Sequence, residues 1–200
     1  MPRTSTDTRT RILDAAAARF RTQGFAETSV AQVMRDAGLT HGGFYAHFPS
    51  KDDLFAESVR HAANTSGDWL ERQVEHLEGE AWINAWVDMY MSDAHCAHAG
   101  QGCPLPSLTS EVTRATSAAH DAFGHAVQRR LDRIIDHLPF DPPTARRIAL
   151  MAYAQMAGAM MLARSLDPHT SAELRQDVAA ATKALLLGRP ASTRSDGAQS

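Results

Sequence analysis

The sequence predicts an all-α fold of about nine helices, a three-helix head followed by a larger helical body. Three observations carry this. Apolar residues recur at helical spacing from end to end, no run alternates as a half-buried strand would, and Ser, Asp, Gly and Pro fall where helices start and stop. With 200 residues, 44% apolar and 22% charged, the balance is globular. The net charge of -3 carries no global nucleic-acid signature, but its distribution is uneven. Residues 1–51 hold seven basic and four acidic side chains, a local excess of +3 that leaves -6 for the remainder. A basic head on an acidic body is the split expected of a chain that presents its head to a polyanion.

The first helix is expected over Asp7 to Gln23, where Ile12, Leu13, Ala16, Ala17 and Phe20 make one apolar stripe and Gly24 is a natural C-terminal cap. A short second helix follows Thr28 or Ser29 as cap, buries Val30, Val33, Met34 and Ala37, and stops at Gly38. A third begins near Thr40 or His41 and ends before Pro49. Ser50 then caps a long fourth helix, with Asp52 and Asp53 complementing its dipole.

Farther on, Glu80 to about His95 reads as a helix with Trp82, Trp86, Met89 and Tyr90 inward, and Cys96 to Pro106 reads as a loop broken by glycines and prolines. Leu105 to Arg114 and Ser117 to Leu138 are helical. Asp141-Pro142-Pro143 opens another helix to about Ser165, and Ser171 is the expected cap of the last, which ends at Gly188. The domain expectation is therefore a head over residues 1–52, a body over 53–188, and a polar, disordered tail over 189–200. The apolar stretch Ile148 to Ala163 has 16 residues, too short to span a bilayer comfortably, and the N-terminus has no apolar leader. The expectation is a cytoplasmic chain with no membrane contact.

The informative unit is Ser29 to Phe48: two short amphipathic helices joined by a tight turn at Gly38, the spacing of a helix-turn-helix. Gly38 supplies the positive φ such a turn often needs, and Leu39 can plug the joint. The second short helix is too polar on one side for a core element and makes sense as a recognition helix in the major groove of double-stranded DNA.

From Arg9 through Phe55 the sequence resembles the TetR family of bacterial regulators. The resemblance rests on Ile12-Leu13-Asp14-Ala15-Ala16, Phe20, Gly24-Phe25, Thr28-Ser29-Val30, Ala37-Gly38-Leu39, and Phe44-Tyr45-Ala46-His47-Phe48-Pro49-Ser50-Lys51. It implies that Thr40, His41, Gly42 and Gly43 meet base edges. It also implies that Tyr45, His47 and Lys51, with Thr28 and Ser29, grip phosphates; a helix N-terminus and its hydroxyl caps suit an anion. Tyr45 has a second reading as a ring packed inside the head, whereas Phe44 and Phe48 are core. Gly42-Gly43 weakens a helix, and reads either as a way to let backbone approach the bases or as a merely tolerated weak helix start.

The resemblance further implies a transcription-regulating repressor, not an enzyme, working as a homodimer on a palindromic operator and released by a small apolar or electrophilic effector. The last two long helices are the expected dimer interface, with Ala145, Ala149, Ala152, Met156, Ala159, Met160 and Ala163 facing Val178, Leu185 and Leu186. The alternative is that this surface packs within one chain. The effector would be held among Trp69, Trp86, Met89, Tyr90, Cys103, Leu108, Phe123 and Met151, each of which also reads as ordinary core. Cys103, just before a helix, is either a redox or electrophile sensor or a small apolar wall residue. His95, Cys96, His98 and Cys103 match no standard zinc spacing, so no metal and no cofactor are expected. The competing function is a DNA-bound, nucleoid-associated structural protein using the same head without a ligand.

Overall fold

The computed structural model describes residues 5–190. Every regular element among them is a helix: α1 (Ser5–Glu27), α2 (Val30–Asp36), a 3-10 helix (His41–Ala46), α3 (Lys51–Val74), α4 (Gly79–Tyr90), α5 (Asp93–Ala97), α6 (Pro104–Val112), α7 (Ser117–Ile135), α8 (Pro142–Ala163) and α9 (Pro168–Leu186). Residues 191–200 of the expected tail lie outside the described residues.

They form two compact units. The first runs to Gln73 and includes Ala94–Arg130; the second is Val74–Asp93 with the chain from Leu131 onward. In the first unit, Ile12, Ala16 and Phe20 of α1 close over Val33 and Met34 of α2, Phe44, Phe48, and Leu54 and Phe55 of α3. Phe20 and Phe25 both meet Phe55 edge-on, at 5.1 and 5.2 Å. Each fully buried large side chain contributes about 1.5–3 kcal/mol. Leu108 and Val112 of α6 and Ala119 and Ala122 of α7 complete this core.

Several boundaries differ from the sequence expectation, each for a local reason. Gly24 does interrupt α1 (φ 81, ψ 172), but one further turn to Glu27 follows it. The segment expected to be a loop from Cys96 to Pro106 contains the end of α5 and the start of α6, because Pro104 at the first helical position has no N–H to leave unpaired. The last helix is capped by Asp167, whose carboxylate accepts from the His169 and Thr170 N–H groups. Ser171, the expected cap, is buried inside that helix.

In the second unit α8 packs along α9, and α4 adds Trp82, Ile83, Trp86, Val87 and Tyr90. Arg189 pairs both guanidinium nitrogens with Glu80 at 2.8 and 2.7 Å. A correction falls here. Ala145, Ala149, Ala152, Met156, Ala159, Met160 and Ala163, expected at a dimer interface, are all buried within the chain, and Leu186 with them. The face of α8 left open carries Leu150, Met151, Met161 and Leu162 instead. No helix among the described residues is long and apolar enough to cross a membrane.

Candidate nucleic-acid interface

Ser29 fixes the start of α2 through a reciprocal cap. Its Oγ accepts from the Gln32 N–H at 3.2 Å, and the Gln32 side-chain oxygen accepts from the Ser29 N–H at 2.8 Å. The other end of α2 closes on Gly38 at φ 67: Gly38 N–H donates to the Arg35 carbonyl and Leu39 N–H to the Met34 carbonyl, at 2.9 and 2.8 Å. This is a Schellman arrangement, and Leu39 packs its side chain on the head core. A Cβ on Gly38 would stand 2.8 Å from Arg11 Nη2. Arg11 also donates to the Ala37 carbonyl, so α1 grips the turn directly. Sequence reading missed Arg11; no periodicity marks it, and only the need to satisfy carbonyls at a bare helix end could have suggested it.

The recognition segment is a 3-10 helix rather than an α-helix, and Gly42-Gly43 near its start is a poor α-helix former. Phe44 and Phe48 are buried and lie 5.9 Å apart with rings near parallel, anchoring the segment from beneath. The opposite side presents Thr40, His41, Gly42 and Tyr45 to solvent, with Gly43 and His47 half-buried. Tyr45 is 70% exposed, its ring edge-on to Phe44, which excludes the buried-ring reading. Nothing lies within 4 Å of a Cβ built on Gly42.

Two of the expected phosphate contacts have partners within the head. Thr28 is fully buried and its hydroxyl donates to the Gly24 carbonyl at 2.8 Å, so it closes the turn before α2 and has no surface to offer DNA. Lys51 is half-buried, its ammonium 4.2 Å from the centre of the Phe25 ring. Arg9 sits likewise over Phe48 at 4.7 Å. Arg19 pairs with Asp36 across α1 and α2, and that hydrogen bond holds the Asp36 carboxyl below its ordinary pKa.

Residues 12–58 match the family model described as bacterial regulatory proteins, tetR family. Over that span the head is that of a TetR-type regulator. The chain is 28% identical over 126 residues to the HTH-type transcriptional regulator LmrA of Bacillus subtilis (strain 168), a match covering 58% of this chain and 65% of that protein. It therefore spans just under two thirds of that relative's length. The fold is similar to that of a TetR-family transcriptional regulator from Cytophaga hutchinsonii, with a TM-score of 0.77 at 20% identity over 96% of this chain and 100% of the other. It is also similar to a TetR transcriptional regulator from Chloroflexus aurantiacus J-10-FL, with a TM-score of 0.71 at 26% identity over 87% and 93%.

The candidate effector residues are divided between the two units. Trp69, Cys103, Leu108 and Phe123 belong to the first unit, and Trp86, Met89, Tyr90 and Met151 to the second. Leu108 is part of the head core, with Phe123 packed on its edge. Trp69 and Met151 are exposed, Trp86, Tyr90 and Cys103 buried, and Met89 half-buried. Cys103 stands immediately before α6, and its N–H donates to His95 Nε2 at 3.1 Å. Among the described residues no three His, Cys, Asp or Glu side chains are grouped to hold a metal ion.

Proposed function

We propose that the chain is a cytoplasmic, effector-responsive repressor that binds a palindromic DNA operator as a homodimer. The observation that carries this is the solvent-facing set Thr40, His41, Gly42 and Tyr45 on a segment pinned by buried Phe44 and Phe48. A short element anchored on one side and polar on the other can enter a major groove without losing its own core. His41 and Thr40 read base edges there, while Ser29, Tyr45, His47 and Lys51 hold phosphates and set register. One such element reads too few base pairs, so a second copy supplies the other half-site. The open α8 face, with Leu150, Met151, Met161 and Leu162, is the surface that covers itself in that dimer.

A small apolar or electrophilic effector shifts the dimer to a state whose two recognition segments no longer fit one operator. Near-complete reversal requires the effector to prefer that state by about 5.5 kcal/mol. Cys103 is the group an electrophile would meet.

The deciding experiment is selection of bound duplexes from a random pool at fixed salt, since affinity falls steeply with ionic strength. The expected product is a palindrome with half-sites one helical turn or a multiple apart. Failure to retain any duplex even in dilute salt refutes the reading. Alkylation of Cys103 monitored together with DNA release tests the electrophile arm, and release unaffected by complete Cys103 modification removes it.

A further inference from the structure

On α4, Trp82, Trp86 and Tyr90 stand four residues apart, on one face, and all three are buried. The two indoles are nearly parallel, 8° apart with centroids at 5.7 Å. The Tyr90 ring follows at 5.9 Å and meets Tyr153 of α8 edge-on at 6.0 Å. The His137 imidazole lies flat against Trp82, 3.8 Å away and tilted by 13°. Packing explains the rings but not two of their atoms. Nε1 of Trp82 and Nε1 of Trp86 are both buried, and neither reaches a hydrogen-bond acceptor.

A buried N–H without a partner forfeits the hydration it had in the unfolded chain, and native cores rarely leave one so. Phenylalanine would supply apolar contact at either position with no donor to satisfy. Arg175 of α9 adds a third donor in the same unit. Its Nη1 donates to the Met91 carbonyl at 2.8 Å and its Nη2 to Asp93, while its buried Nε reaches no acceptor.

We propose that this tryptophan stripe binds a flat aromatic molecule carrying carboxylate or carbonyl oxygens, with the N–H groups of Trp82 and Trp86 donating to those oxygens. The inference rests on the effector-binding reading above and supplies the chemistry of the ligand. The aromatic lining favours a flat ring that meets it by edge or offset contact, and the unmet donors select the oxygens. A cationic guest, the other common partner of tryptophan faces, is disfavoured by the same atoms. It would leave both N–H groups unpaired.

The test uses the full chain and two probes that differ in one group, naphthoate and naphthalene, titrated by calorimetry. Naphthoate is expected to saturate one site per chain and to bind about tenfold more tightly than naphthalene. W82F and W86F are each expected to weaken naphthoate about tenfold while leaving naphthalene within about twofold. No naphthoate binding, equal affinity for the two probes, or indifference of naphthoate to both substitutions overturns the proposal.

A second measurement needs no ligand. Replacing tryptophan by benzothienylalanine in a W69F background keeps the ring size and removes the donor. The melting temperature of the unliganded protein is expected to hold or rise. A fall of several degrees would mean the donors already have partners, and would overturn the proposal. Operator binding is separate from these readouts. A chain that ignores DNA yet binds naphthoate through Trp82 and Trp86 sinks the repressor reading alone, and one that holds DNA but does not distinguish the probes sinks only this inference.

Discussion

Replacing Leu162 by glutamate separates the two faces of α8. Leu162 is 61% exposed in the single chain, and full burial of a leucine is worth about 1.5–3 kcal/mol. A second copy covering that exposed fraction gains about 1–2 kcal/mol per chain, and twice that per dimer because a two-fold interface uses each residue twice. L162E should therefore raise the dimer dissociation constant roughly 30- to 1000-fold from lost burial alone, and buried like charges add to this. Sedimentation velocity across a dilution series reads the constant directly, and operator titration should weaken in parallel. The counterpart is M160A on the buried face. It should leave the dissociation constant nearly unchanged and lower the melting temperature, since emptying a core methionine site costs about 2–5 kcal/mol. If L162E dimerises like the parent while M160A breaks the dimer, the assignment of faces is wrong.

G38A should destabilise the protein by about 1–2 kcal/mol, because alanine must adopt φ 67 and its Cβ would meet Arg11; an unchanged melting temperature would contradict this. S29A removes the reciprocal cap and should cost about 1 kcal/mol of thermal stability, with weaker DNA binding but an unchanged salt slope if the hydroxyl also meets a phosphate, since it carries no charge. Y45F should keep its melting temperature and lose DNA affinity evenly across operator variants, whereas H41A should relax preference at one or two base pairs, both read by fluorescence anisotropy. Hydrogen bonds from Thr144 and Thr170, side chain and backbone, depress the Asp141 and Asp167 carboxyls in the folded state. Their stabilising effect is thus present above the unfolded aspartate pKa and is lost as pH falls through the folded value; an acid melt of D141N/D167N should show a smaller pH dependence than the parent.

The head was legible because its rules are local. Ser29, Gly38, Phe44 and Phe48 each satisfy a cap, a turn or a core position that depends on a few neighbours in sequence, and all four stand where the reading put them. Thr28 was misread for a related reason. A threonine beside a helix start looks like a capping hydroxyl, but its Oγ turned back to Gly24 four residues earlier, a choice set by the interrupted end of α1. α8 was misread because it is apolar around most of its circumference. Periodicity says that such a helix is buried but not which arc the chain covers by itself, and the arc containing Met156 and Met160 is the one buried within the chain. The Trp82 and Trp86 N–H groups carry no sequence signal at all, since an unmet donor is a property of neighbours.

Leu108 ties α6 to the packing of the head. Read from sequence, it belongs with a ligand in the body; in the fold it sits in the head core with Val112, beside Phe20 and Phe55. The three-helix head is therefore not closed without α6, which reaches it late in the chain. Side chains from α1 also fasten the segment before α6: Arg21 Nη1 donates to the Gly102 carbonyl at 2.7 Å, one residue before Cys103. A displacement of α6 that uncovered Leu108 and Val112 would forfeit about 3–6 kcal/mol of burial. That is the magnitude a near-complete switch of a two-state equilibrium requires, about 5.5 kcal/mol. Moving α6 would thus act on the packing of the head itself, through Leu108 and Val112.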